Sequence, residues 1–155
     1  MECHIVNTAS TAGLIAAGFS APYAVTKHAV VALSENLYLT LQQKKSQVNV
    51  SVLCPGVVQT NIADVERTRP EELRNEAAPL SPEMQAGRTA MRAVIAAGMP
   101  PMEVADMVFA AVEKEQFYIL THPEWTEVIR LRMDNLLQME NPQSPAATIA
   151  KLVSK

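Results

Sequence analysis

Apolar residues along this chain come in two rhythms. Short, nearly unbroken runs stand at CHIVNTAS (3–10), VNVSVLCPG (48–56) and FYIL (117–120). Runs of that length, stopped by small polar residues or by Pro-Gly, read as strands buried on both faces of a parallel sheet. Between them apolar residues recur at helical spacing. From Pro22 to about Gln43 they include Val25, Ala29, Leu33, Leu37 and Leu41, with Val30 and Val31 beside them. That band is wider than one stripe, so this helix is expected to bury one face on the sheet and another on a second element or subunit.

The rest of the chain follows the second rhythm. A polar segment covers 61–80. Ser81-Pro82 then reads as a cap and first-turn proline, opening a helix to about Ala97 with Gly98 as its stop. PPMEVADMVFAAVEKE places Val104, Val108 and Val112 on one face of a further helix, and HPEWTEVIRLRMDNLLQME gives another. The tail, 141–155, is expected to be mobile. Strand, helix, strand, loop with helices, strand, helix is the order of a doubly wound α/β sheet. With only three strands, an outer edge such as HIVNT would present unpaired backbone groups.

Composition narrows the classes. The chain has 155 residues, 48% of them hydrophobic, and a net charge of −3 with dispersed basic residues. One packed domain is expected, with neither nucleic acid nor an anionic membrane as the main partner. No apolar run approaches a membrane span and no signal peptide opens the sequence, so a cytoplasmic location is expected. Cys3 and Cys54 have no metal-like spacing and are expected to be buried, reduced thiols. The three histidines, His4, His28 and His122, show no metal spacing either, so no metal is expected. Trp125 and most of the eight methionines are expected to fill core. The NVS sequon at Asn49 falls inside a strand-like run and reads as a chance match.

The chemistry lies in YAVTK. Tyr23 and Lys27 are four residues apart on a helix and share a face. An ammonium beside a phenol favours the phenolate, which suits that tyrosine to proton transfer. Ser10, thirteen residues before Tyr23, ends the first strand at the edge where open α/β sheets bind ligands. The Pro55-Gly56 exit of the second strand opens on the same edge. Together these residues point to proton transfer at an alcohol or carbonyl oxygen that a hydroxyl holds.

IVNTASTAG, YAVTKHAVVALSENL and VNVSVLCPGVVQTNI together resemble the carboxyl-terminal half of a short-chain dehydrogenase/reductase of the single-domain subtype. The specific motifs run from residue 4 to about 62, with a looser likeness to about 139. The resemblance implies a Rossmann-type α/β fold, NAD or NADP as cofactor, and a small alcohol or carbonyl substrate. It implies that Ser10 holds the substrate oxygen, that Tyr23 is the acid/base, and that Lys27 tunes it and bonds the nicotinamide ribose. Pro55 and Gly56 would shape the turn beside the nicotinamide. The backbone of Val58 and the hydroxyl of Thr60 would meet its carboxamide. Residues 1–140 would form a partial dinucleotide-binding domain, 61–98 its substrate lid, and 141–155 a tail. A homodimer or homotetramer is implied for the full-length form.

The resemblance also marks what this sequence lacks. Among glycines 13, 18, 56, 87 and 98 there is no Gly-rich turn to cradle a pyrophosphate. The expectation is therefore that the sequence is part of a longer oxidoreductase. Two alternatives stay open: a non-catalytic product that docks on a related subunit, and a Tyr-x-x-x-Lys epimerase or dehydratase.

Overall fold

A computed structural model describes residues 3–17, 20–64, 69–73 and 81–153. It divides into two compact units, one made of residues 1–56 and 106–155 and the other of residues 57–105. The first unit holds a three-stranded parallel sheet: β1 (Cys3–Thr8), β2 (Val48–Cys54) and β3 (Tyr118–Leu120), in the order β1-β2-β3. Cys3 lies opposite Val48 and Thr8 opposite Leu53, while Val52 faces Tyr118 and Cys54 faces Leu120. The three apolar runs form the three strands, so the expected α/β sheet is present.

β2 is central and buried on both faces. Val52 and Cys54 are 0% exposed, and Val50, Ser51 and Leu53 are also buried. Full burial of a valine is worth roughly 1.5–3 kcal/mol. α1 (Ala21–Gln43) lies over this strand, and Val31 joins Ala9, Val52 and Cys54 in one apolar cluster. A polar pin fixes the same helix: Asn7 Nδ2 donates to Ser34 Oγ at 3.0 Å, and Ser34 Oγ donates to the Val30 carbonyl at 2.7 Å. On the next residue of the helix, Glu35 Oε1 accepts from Tyr118 Oη at 2.7 Å. Burial, and next the neighbouring Glu35 carboxylate, push the Tyr118 phenol up to about 12.

Within this chain α1 buries one face on the sheet. Val25, Ala29 and Leu33 stand a turn apart on its outer side, with Val25 69% exposed. No described element of the chain covers them. Three expectations are corrected by burial. Cys3 is exposed at the open end of the edge strand, whereas Cys54 is buried. Trp125 is only half-buried, in a short 3-10 turn (Pro123–Trp125). Met84, Met91, Met102, Met133 and Met139 are exposed rather than core.

Both returns to the sheet use the same device. α1 ends into Lys45 and α3 (Pro101–Glu113) into Glu115, each with φ just above +50°. The Ser46 amide then reaches back to the Leu41 carbonyl, and the Gln116 amide to that of Ala111. These are Schellman closures built without glycine, at about 1 kcal/mol of backbone strain apiece. After β3 come α4 (Thr126–Leu137) and α5 (Ala146–Val153). The expected mobile tail therefore contains a helix.

The second unit contains α2 (Pro82–Ala96), capped by Ser81 Oγ, which accepts from the Met84 amide at 3.2 Å. Here Val58 pairs with Met99 in a parallel bridge, and Gly98 lets the Val57 carbonyl approach to where a Cβ would lie 2.8 Å away. Parts of the expected 61–98 lid, residues 65–68 and 74–80, lie outside the described residues. No helix among the described residues is long and apolar enough to cross a membrane.

Candidate active site

β1 ends at Thr8, and the chain leaves it through a 3-10 turn (Thr11–Gly13) capped by Ser10. The cap is a Ser-type one: Ser10 Oγ accepts from the Ala12 amide at 3.2 Å. The turn is also stitched to the exit of β2. Ala9 N–H donates to the Leu53 carbonyl at 2.7 Å and Thr11 N–H to that of Pro55 at 2.9 Å. Ser10 Oγ reaches the same Pro55 oxygen only weakly, at 3.4 Å. A hydroxyl with so long a bond is easily turned toward another acceptor.

α1 meets this turn at Lys27. Lys27 Nζ donates to the Thr8 carbonyl at 3.3 Å and lies 5.6 Å from the centre of the Tyr23 ring. Tyr23 is 39% exposed, and its hydroxyl makes no hydrogen bond among the described residues. The close approach depends on Gly13. A Cβ there would sit 2.6 Å from the Lys27 carbonyl oxygen and 3.1 Å from Val31 Cγ2. The first of these is a backbone atom of the helix, which cannot swing aside.

Pro55-Gly56 is braced from β3. The Gly56 amide donates to Thr121 Oγ1 at 3.0 Å, and Thr121 Oγ1 lies 2.7 Å from His122 Nδ1. The hydroxyl thus ties the Gly56 amide to the imidazole, since its oxygen can accept from the one while it bonds the other. The imidazole covers Gly56 so closely that a Cβ would stand 2.6 Å from Nδ1. Beneath the site lies Cys54. Burial pushes its thiol up to about 11, against a backbone hydrogen bond from Ser10 and the field of Lys27, which pull it down.

Ser10, Tyr23, Lys27, Pro55 and Gly56 thus share one edge of the sheet, where β1 and β2 end and α1 begins. Val58 and Thr60 belong to the other compact unit. There Val58 is in its bridge to Met99, and Thr60 is exposed with Oγ1 accepting from the Ile62 amide at 3.4 Å. Sequence reading missed Gly13, the Thr121–His122 brace, and Arg132, whose Nη1 donates to the Leu14 carbonyl at 3.2 Å. Only two had a visible signal. Gly13 stands three residues after Ser10, and Thr-His-Pro leaves a strand on the edge where Ser10 and Pro55 stand.

Residues 2–71, which contain every one of these predicted site positions, match the short chain dehydrogenase family model. A dehydrogenase/reductase of CLA biosynthesis from Lactiplantibacillus plantarum is 35% identical over 138 residues, covering 86% of this chain and 47% of that protein. A C alpha-dehydrogenase from a Sphingobium strain is 26% identical, covering 90% of this chain and 44% of that protein. A short chain dehydrogenase/reductase from Burkholderia phymatum, crystallised with NAD, superposes with a TM-score of 0.83 at 44% identity. That match covers 94% of this chain and 52% of the other. The chain spans about half the length of the relatives it matches. The sheet, the Ser–Tyr–Lys edge and these likenesses agree, and the chain belongs to the short-chain dehydrogenase/reductase family.

Proposed function

We propose that this protein is part of an NAD(P)-dependent oxidoreductase that interconverts an alcohol and a ketone or aldehyde, with Tyr23 as its acid/base. The observation that carries this is the fixed Tyr23–Lys27 pair beside Ser10, with the ammonium 5.6 Å from the phenol ring and bonded to the strand end at Thr8. In reduction Tyr23 gives its hydroxyl proton to the carbonyl oxygen, and in oxidation it takes the alcohol proton. Ser10 Oγ donates to that same oxygen after leaving its long contact with Pro55.

The residues present suit a ribose-bearing cofactor. Lys27 uses one of its three donors on Thr8 and keeps the others for hydroxyls. Lys27 and the Pro55-Gly56 turn would hold the nicotinamide end, with Val58 and Thr60 at its carboxamide. Bound there, the dinucleotide supplies or accepts the hydride. The NAD in the Burkholderia structure supports this choice of cofactor. Residues 61–98 are assigned to a substrate lid, and the uncovered apolar side of α1 supports assembly as a homo-oligomer.

The test is Tyr23→Phe in the full protein, assayed by NADH- or NADPH-dependent reduction of a ketone panel. Turnover should fall about 10²–10⁴-fold, with cofactor affinity unchanged. Turnover retained in Tyr23→Phe would overturn the assignment.

A further inference from the structure

One face of α4 and the segment that follows it line a cavity of about 330 Å³ that Ser10, Tyr23 and Lys27 do not line. At roughly 30 Å³ for each water-sized occupant, it has room for about ten non-hydrogen atoms. Val128, Leu131 and Pro145 give it an apolar wall, and Ala16 closes one side. Val128 and Pro145 are buried, so this is a pit with a floor.

Its polar groups set it apart from a simple packing defect. Asn135 is 6% exposed and lines the cavity, yet its side-chain amide makes no hydrogen bond among the described residues. No fully enclosed polar side-chain atom among them lacks a partner. The Asn135 amide therefore still reaches solvent-sized space, and the cavity is the space it lines. That amide is free to bond whatever occupies the cavity. Arg132, one turn earlier on the same face, spends Nη1 on the Leu14 carbonyl and has four further N–H donors. Glu140 is at the exposed rim and forms no ion pair with Arg132 among the described residues. Arg132 and Asn135 thus offer donors and a positive charge on one face of α4; Gln143 adds a second amide and Glu140 a carboxylate, and the rest of the lining is apolar.

We infer that this cavity binds a small amphipathic carboxylate, its chain against Val128, Leu131 and Pro145 and its carboxylate on Arg132 and Asn135. Fatty-acid-like molecules of about eight carbons have the matching size and polarity. The inference does not depend on the oxidoreductase reading, because none of these residues belongs to the Ser–Tyr–Lys set.

Octanoate is the probe, titrated into the full chain by calorimetry, with 1-octanol as its uncharged counterpart. Saturable one-to-one binding of octanoate, tighter than that of octanol, is expected. Asn135→Leu, close in size and apolar, should weaken octanoate about tenfold while leaving octanol within about twofold. Arg132→Met should abolish the preference for octanoate over octanol, and circular dichroism would confirm that both variants fold. Absence of saturable octanoate binding to the unmodified chain would overturn the inference. So would a folded Asn135→Leu variant that binds octanoate as tightly as the parent.

Discussion

β2 and α2 make an instructive pair. Five of the seven residues of β2 are buried, whereas none of the fifteen residues of α2 is. Both carry many apolar side chains, so hydrophobicity alone does not separate them. What differs is how each is held. β2 is gripped by two neighbouring strands and a helix, and the edge that carries Ser10 and Pro55 is anchored to it. α2 is held by its Ser81 cap and by backbone bonds such as Met99 to Val57. The Arg92–Asp64 pair adds a side-chain tie of 2.6 Å. Its methionines stay available to meet another surface or a ligand. In one region geometry is set by packing; in the other, by a few local bonds. The contrast makes each region breakable in its own way.

The deepest break is at Gly13. Alanine there would drive a methyl into the Lys27 carbonyl, and backbone cannot yield without moving α1 off the turn. A loss of about 3 kcal/mol is expected in urea unfolding, together with lost turnover. A stable, active Gly13→Ala would show that the turn and helix are less tightly set than described.

The buried strand should also show itself in alkaline solution. Cys54 stays protonated in the folded chain up to about pH 11, while an unfolded cysteine gives up its proton near 9. Between those values the unfolded state binds fewer protons, so stability falls as pH rises, by roughly 2 kcal/mol across the window. Cys54→Ala should flatten that slope relative to the parent. In the same range a thiol reagent should label exposed Cys3 well before Cys54.

The brace from β3 is the next weakest point. Gly56→Ala places a methyl against the His122 ring, a side chain that can partly give way, so a cost of about 1–2 kcal/mol is expected. Adding His122→Ala should return much of that loss. Strict additivity in the double-mutant cycle would mean the imidazole is not what crowds Gly56.

The smallest effect belongs to the second region. Arg92→Met removes an ion pair whose two side chains are both substantially exposed, and under about 1 kcal/mol should be lost. The loss should shrink further in high salt. A larger, salt-insensitive cost would place that region among the packed ones after all.

The two regions also differ in how legible they are in sequence. Buried parallel strands announce themselves because both faces must be apolar, so CHIVNT, VNVSVLC and YIL stand out. Ser81-Pro82 marks a helix start because cap chemistry is local. The Ser10, Tyr23 and Lys27 spacing is legible for the same reason, since a helical turn fixes it. Contacts that depend on two distant segments left little trace. Gly13 matters only because α1 returns to it, and Thr121 and His122 only because β3 ends beside Pro55. The closures at Lys45 and Glu115 were hidden because left-handed residues there are not glycine. Exposure is harder to read, because sequence does not say whether a face is covered by the same chain or by another. An apolar helix face at Val25 and Leu33 reads as buried in any sequence, yet nothing described in this chain lies against it.

Alignment of the two long strands has a meaning beyond stability. Side chains alternate across a strand, so a slip of one residue between β1 and β2 would turn Ser10 to the opposite face. The same slip would strand Lys27, whose ammonium is fastened to the carbonyl of Thr8. The pins that hold the register, Asn7 on Ser34, Ala9 on Leu53 and Thr11 on Pro55, therefore act as an aiming device. They set the strand end that carries Ser10 against the one that leads to Pro55, and a chain that mispaired would fold with that edge rearranged.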